Sequence, residues 1–184
     1  MKKVYLIRHG LPDFPGGQRM CLGTTDIPMG AEGKEQARRM AVQLPPVTAV
    51  FSSPLTRAIQ TAEAIGMPVT VLNDLREMHA GDWDGLTFAE IRQRYPELYA
   101  ARANDMTIPL PGGENHAQAM VRFTAAMEQA AMLSSGDFAV VAHGGIIARF
   151  LQQISGKWYK PGYAEVVTLF RNDGTFQLKE SVSL

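Results

Sequence analysis

The sequence predicts an α/β protein: a three-layer α/β/α sandwich on a mostly parallel sheet with an antiparallel strand at one edge. Two observations predict this. Short apolar, β-branched runs alternate with segments whose apolar residues recur at helical spacing, the pattern of a parallel sheet covered on both faces. The final segment, Val166–Leu178, is interrupted by Asn172-Asp173-Gly174, a turn signal that folds it into a hairpin closing one sheet edge.

In chain order, the strand-like runs are Val4–Arg8, Ala49–Ser52, Val69–Leu72, Phe138–Ala142 and Glu165–Phe170. Between them, Ala37, Met40, Ala41 and Leu44 share one helical face. So do Leu55, Ala58, Ala62 and Ile65, then Met120, Phe123, Met127 and Ala130, then Ile147, Phe150, Leu151 and Ile154. The stretch from Ala80 to Pro111 has the least strand character. It is expected to be a helical excursion at about 80–111, with Pro96 opening a second short helix. No repeat, low-complexity tract or linker divides the chain, so one domain over residues 1–184 is expected.

Hydrophobic residues make up 46% and charged residues 20%, which suits a globular protein that buries a core without staples. Eighteen basic and eighteen acidic residues cancel, which argues against a nucleic-acid or anionic-membrane surface. Cys21 is the sole cysteine, so no internal disulfide or CxxC metal pair exists. There is no apolar run of about 18 residues, and the N-terminus enters a strand almost at once; a cytoplasmic location is the default expectation. No HExxH or carboxylate cluster signals a metal, and no cofactor is expected. The ten methionines are read as core filling.

Four segments carry chemistry. The first is Arg8-His9-Gly10, at the carboxyl end of the run Val4-Tyr5-Leu6-Ile7. Ligands of open α/β sheets bind at strand carboxyl ends. An imidazole beside a guanidinium there suggests a nucleophile next to an anion clamp, although alone the pair is equally a structural hydrogen-bonding cluster. The second segment, Ser52–Ala62, places Arg57 in the first turn of a helix, where the helix dipole disfavours a cation unless an anion is also bound. A solvated surface arginine is the alternative. The third, Ala142-His143-Gly144-Gly145, repeats the first design, and its glycines leave N–H groups accessible at a helix start, an anion seat. The fourth, Leu75–Gly85, offers Glu77 as a proton donor in a loop. Asp82 and Asp84 read as turn residues there, and His79 and His116 as surface histidines.

Together, Arg8-His9-Gly10, Ser53-Pro54-Leu55-x-Arg57-Ala58-x-Gln60-Thr61-Ala62, Leu75-x-Glu77-x-x-x-Gly81-x-Trp83-x-Gly85 and His143-Gly144-Gly145 resemble the histidine phosphatase superfamily, also called phosphoglycerate-mutase-like. Gly23-x-x-Asp26-x-Pro28 and Pro111-Gly112-Gly113-Glu114 are weaker matches in the same order. The resemblance implies that His9 is the nucleophile and Glu77 the general acid and base. It implies that Arg8, Arg57 and His143 bind the phosphoryl oxygens, with Gly144, Gly23 and Arg19 as further contacts. Positioned cations suit a phosphoryl group in flight, whose charge spreads over three oxygens. Neutral His9 needs its second ring nitrogen to donate to a backbone carbonyl.

After the first motif the chain departs from the family pattern. Leu11, Pro12 and Pro15 stand where an acid, a hydroxyl residue and an Asn are usual, leaving Asp13, Gln18 or Arg19 to substitute. The expected activity is a metal-independent phosphomonoester phosphatase acting through phosphohistidine on a small metabolite, similar to the alpha-ribazole phosphatase group. A phosphoglycerate-type mutase, a phosphohistidine-protein phosphatase and a non-catalytic phosphate-binding module are the alternatives. The expected partner is a small phosphomonoester, with no nucleic acid and no membrane, and the chain a monomer or homodimer.

Overall fold

A computed structural model describes residues 1–179 of the protein. Six strands form one sheet: β1 (Lys2–Arg8), β2 (Ala49–Ser52), β3 (Val69–Val71), β4 (Phe138–Ala142), β5 (Val166–Asn172) and β6 (Thr175–Leu178). Their order is β3-β2-β4-β1-β5-β6. The first four are parallel neighbours, while β5 runs antiparallel to β1 and β6 antiparallel to β5. The expected mostly parallel sheet is therefore present, with two antiparallel strands at the edge.

The helices are α1 (Ala31–Gln43), α2 (Thr56–Glu63), α3 (Phe88–Arg94), α4 (Pro96–Asn104), α5 (His116–Leu133) and α6 (Gly144–Ser155). Alternation along the strands sorts the core into two layers. Val4, Leu6, Phe51, Phe138 and Val140 face α5 and α6, where Phe123, Met127, Ile147 and Phe150 meet them. Tyr5, Ile7, Val50, Ala139 and Val141 face α1 and α2, meeting Met40, Ala58 and Ala62. Because β1 and β4 are buried on both sides, they read as unbroken apolar runs in the sequence.

β1 begins at Lys2 rather than Val4, because Lys2 and Lys3 pair with Arg171 and Phe170 of β5. The Lys2 ammonium also donates to the carbonyls of Ala131 and Ser134 at the end of α5, where a helix C-terminus stabilises a cation. The segment after β3 contains α3 and α4. Thr87 and Glu90 form a capping box that starts α3, and α4 starts at Pro96. Trp83 packs near Tyr95 and Tyr99, tying both helices to the loop before them.

Most of the methionines are core residues: Met67, Met78 and Met120 pack against the core, and three more lie within it. Met29, Met40 and Met127 are buried, but Met1, Met106 and Met132 are exposed. Met20, Met78 and Met106 line a cleft, where a flexible thioether adapts to an irregular wall. Among the described residues, no helix is long and apolar enough to cross a membrane.

Candidate active site

Adjacent strand ends assemble the site. In the β1–β4 register Arg8 stands opposite Ala142, so His9 and His143 leave neighbouring parallel strands side by side. The His9 N–H donates to the Ala142 carbonyl and the Ser53 N–H to the Val141 carbonyl. Three strand ends thus converge, and the His9 and His143 ring centroids lie 5.1 Å apart.

His9 is held in one tautomer. Its Nδ1 lies 2.8 Å from the Gly10 carbonyl, so Nδ1 donates and Nε2 keeps its lone pair. Burial, then the charges of Arg57, Arg8 and Lys160, push the imidazole well below its ordinary pKa, so it is neutral at pH 7. The turn behind it is fixed by Thr61, whose Oγ1 accepts from the Gly10 N–H and donates to the Arg57 carbonyl.

His143 and Arg57 are fully buried, with no exposed surface. His143 Nε2 is 2.6 Å from Ser53 Oγ. Burial, then Arg57 and His9, push His143 well below its ordinary pKa as well. Arg57 donates from Nη1 to the Thr25 carbonyl and from Nη2 to the Gly23 carbonyl. Asp26 resolves the electrostatic conflict at the start of α2: it accepts from the Thr56 N–H and hydroxyl and lies 3.8 Å from Arg57. Gly23 sits beneath Arg57 and against Ala80, and is not among the residues lining the cleft. Asp84 receives the N–H groups of Gly23, Thr24 and Thr25 and so fixes the loop that carries those carbonyls.

Arg8 and His9 face a cavity of about 500 Å³. Arg8 Nη1 donates to the Pro161 carbonyl, and its guanidinium lies 3.8 Å from the Tyr163 ring centroid. Tyr163 also stacks near His9, at 5.7 Å between centroids. Glu77 lines the same cavity. Its carboxylate accepts from the Gly145 and Ile146 N–H groups, each at 2.8 Å, so the anion seat at the start of α6 holds a protein carboxylate. A side chain at Gly145 would place its Cβ 2.9 Å from Glu77 Oε1, and one at Gly144 would place it 2.9 Å from Arg8 Nε. These two close approaches explain the double glycine.

Behind Glu77 stands Arg122, which forks onto Glu114 at 2.6 and 2.7 Å and donates to the carbonyls of Asp74, Arg76 and Glu77. The loop carrying Glu77 is thereby tied to α5. Of the candidates for the missing phosphate ligands, Arg19 lines the cavity, while Asp13 and Gln18 do not.

Four nitrogens of motif residues are buried without a hydrogen-bond partner: Arg8 Nε, Arg57 Nε, His143 Nδ1 and Trp83 Nε1. Buried polar groups are nearly always paired, so the nitrogens of Arg8, Arg57 and His143 leave hydrogen-bonding capacity that a ligand could use. Among the described residues, no cluster of three His, Cys, Asp or Glu side chains is placed to hold a metal ion.

Sequence reasoning missed Lys160, Tyr163, Arg102 and Arg149 on the cavity wall, and misread His116. That histidine is half-buried on the wall rather than free at the surface. Burial, then Arg149 and Arg102, push its pKa down to about 4. Arg149 did leave a signal, a lone charge inside the apolar run Ile146–Leu151. Lys160 and Tyr163 sit in a loop with no pattern.

A doubly covered parallel sheet with histidines at two adjacent strand ends and arginines beside them defines a class of phosphoryl-handling α/β proteins. Residues 4–180 match the histidine phosphatase superfamily (branch 1), and the chain belongs to that family. It is similar to uncharacterized phosphatase PhoE of Bacillus subtilis, 33% identical over 85% of this chain and 79% of that one. It is also similar to a glucosyl-3-phosphoglycerate phosphatase of Mycolicibacterium vanbaalenii, 32% identical over 85% of this chain and 75% of that one. Among solved structures, a mycobacterial glucosyl-3-phosphoglycerate phosphatase complexed with VO3 superposes with a TM-score of 0.84 at 28% identity, covering 97% and 98% of the two chains. A putative alpha-ribazole-5'-P phosphatase from Escherichia coli superposes with a TM-score of 0.80 at 25% identity, covering 97% and 94%. The fold is phosphoglycerate-mutase-like.

Proposed function

We propose that the protein is a phosphatase that hydrolyses a small-metabolite phosphomonoester through a phosphohistidine on His9. The observation that carries this reading is the set of three orphaned nitrogens, Arg8 Nε, Arg57 Nε and His143 Nδ1, gathered around a neutral histidine with a free Nε2. The relatives named as a glucosyl-3-phosphoglycerate phosphatase and a putative alpha-ribazole-5'-P phosphatase support it, since both names are of small phosphomonoesters.

His9 Nε2 attacks phosphorus and the P–O bond to the substrate alcohol breaks. The leaving oxygen takes a proton from Glu77, while the cations stabilise the charge on the three equatorial oxygens. Water then attacks the phosphohistidine, gives its proton to Glu77, and the P–N bond breaks to release inorganic phosphate. Arg19, His79 and Trp158 on the cavity wall are exposed, so water reaches the site, and this favours hydrolysis over transfer to a second sugar or acid.

The test is rapid quenching after mixing with a phosphoryl-labelled substrate. An acid-labile, base-stable label that maps to His9 is expected. Turnover with no labelled enzyme at any time would overturn the covalent route.

A further inference from the structure

The outer half of the cavity holds a second cluster of cations that the chemistry at His9 does not use. Arg102, on α4, and Arg149, on α6, are both more than nine-tenths buried, at 7% and 8% exposure. Arg102 Nη1 is buried with no hydrogen-bond partner. Arg149 donates to the Met106 carbonyl. Among the described residues, neither forms an ion pair within 4 Å. Each is instead laid against an indole, Arg102 against Trp83 and Arg149 against Trp158, with 5.5 Å between guanidinium and ring centroid in both cases. Stacking on a face fixes a guanidinium while leaving its N–H edge available.

Burying two like charges with no paired carboxylate is unfavourable. Of the acids whose charge reaches Arg149, Glu77 is held by the Gly145 and Ile146 N–H groups, and Asp105 is exposed and occupied by the Thr107 N–H and hydroxyl. After burial, the charge of Arg102 lowers the pKa of Arg149, and both guanidiniums lower that of His116. His116 stays neutral as a result and adds a hydrogen-bonding ring to the same wall. An oxyanion brought by a ligand would satisfy the orphaned Nη1 and relieve the repulsion.

We propose that Arg102 and Arg149 form a second oxyanion subsite, so that the substrate is a phosphomonoester carrying a further anionic group, carboxylate or phosphate, remote from the reacting phosphorus. The inference deepens the phosphatase reading above and rests on it. The cavity volume of about 500 Å³ accommodates such a molecule.

The experiment compares kcat/KM for propyl and hexyl phosphate with their ω-carboxylate and ω-phosphate derivatives. At one or both spacer lengths, wild type should prefer a derivative about ten- to hundredfold, the worth of a charge-assisted hydrogen bond. Which derivative wins identifies the oxyanion. In the Arg102→Gln/Arg149→Gln double variant the ratio of derivative to plain alkyl phosphate should fall to near one, and Arg149→Lys should retain part of it. A wild-type ratio near one for both derivatives at both lengths overturns the subsite, whatever the variants do. So does an undiminished ratio in a folded double variant. Failure of the phosphatase reading looks different: His9→Ala would still hydrolyse the plain alkyl phosphates.

Discussion

The two walls of the cleft are built on different principles. The inner wall presents Arg8 and His9 at the end of β1, with His143, at the end of β4, and Arg57, in the first turn of α2, fully buried behind it. Each side chain there is fixed by a backbone carbonyl or a buried hydroxyl. The outer wall, with Arg19, Arg102, Arg149 and Lys160, comes from a loop, two helices and another loop, and its cations rest on aromatic faces or reach water. Bond-making atoms must be held within a fraction of an ångström, which a hydrogen-bonded sheet provides. Recognition of the rest of a substrate tolerates looser scaffolding, and connecting segments carry it.

This contrast breaks if inner and outer variants behave alike. The largest effect is expected for His9→Ala, which should reduce hydrolysis of any phosphomonoester to background in a stopped assay. Glu77→Gln comes next. It should lower single-turnover rates on an alkyl phosphate by on the order of 10²–10⁴, and much less on nitrophenyl phosphate, whose leaving group needs no proton. Equal losses on both would make Glu77 a positioning group. Arg57→Ala should cost on the order of 10²–10³ in kcat on both substrates, because it removes charge stabilisation common to every phosphoryl group. Arg19→Ala, on the outer wall, should raise KM by less than about tenfold and leave kcat nearly intact, since an exposed cation contributes little. A kcat loss for Arg19→Ala matching that of Arg57→Ala would erase the distinction between the walls.

The smallest effect is in pH dependence. His9 and His143 have lowered pKa values for the reasons of burial and nearby cations given above, and His116 is pushed to about 4. A histidine with a depressed native pKa binds protons more readily in the unfolded chain. Stability is therefore full above about pH 6.5 and falls as pH drops from there toward the native values. The acid limb of kcat/KM should likewise lie below pH 6.5, because His9 stays neutral there. Thermal melts from pH 8 to 4 check the first expectation, and a pH–rate profile the second. An acid limb at the ordinary histidine value would show that His9 is not desolvated as described.

Much of the inner wall was legible in the sequence. Arg8-His9 and His143 each follow an unbroken apolar run, and a strand buried on both faces must deliver the next residues to its carboxyl end. Arg57 was legible as a cation placed against a helix dipole, although Asp26, which balances it, was visible only as part of a weak motif. The glycines of α6 suggested an open anion seat, but Glu77 occupies it. No local pattern marks that contact, because Glu77 and Gly145 are 68 positions apart in the chain.

By itself, then, the sequence determined the strand and helix order, the antiparallel edge and the identity of the groups at the strand ends. Those features follow from periodicity and from backbone pairing, which are local or nearly so. Only the tertiary structure decided which side chains share the cavity. It joined Arg102 from α4, Arg149 from α6 and Lys160 from the loop beyond into one outer wall, and it tied the Glu77 loop to α5 through Arg122. Such groupings depend on how helices pack across the sheet and on where long connections return, and burial of a charge is a property of that packing, not of the residue that carries it.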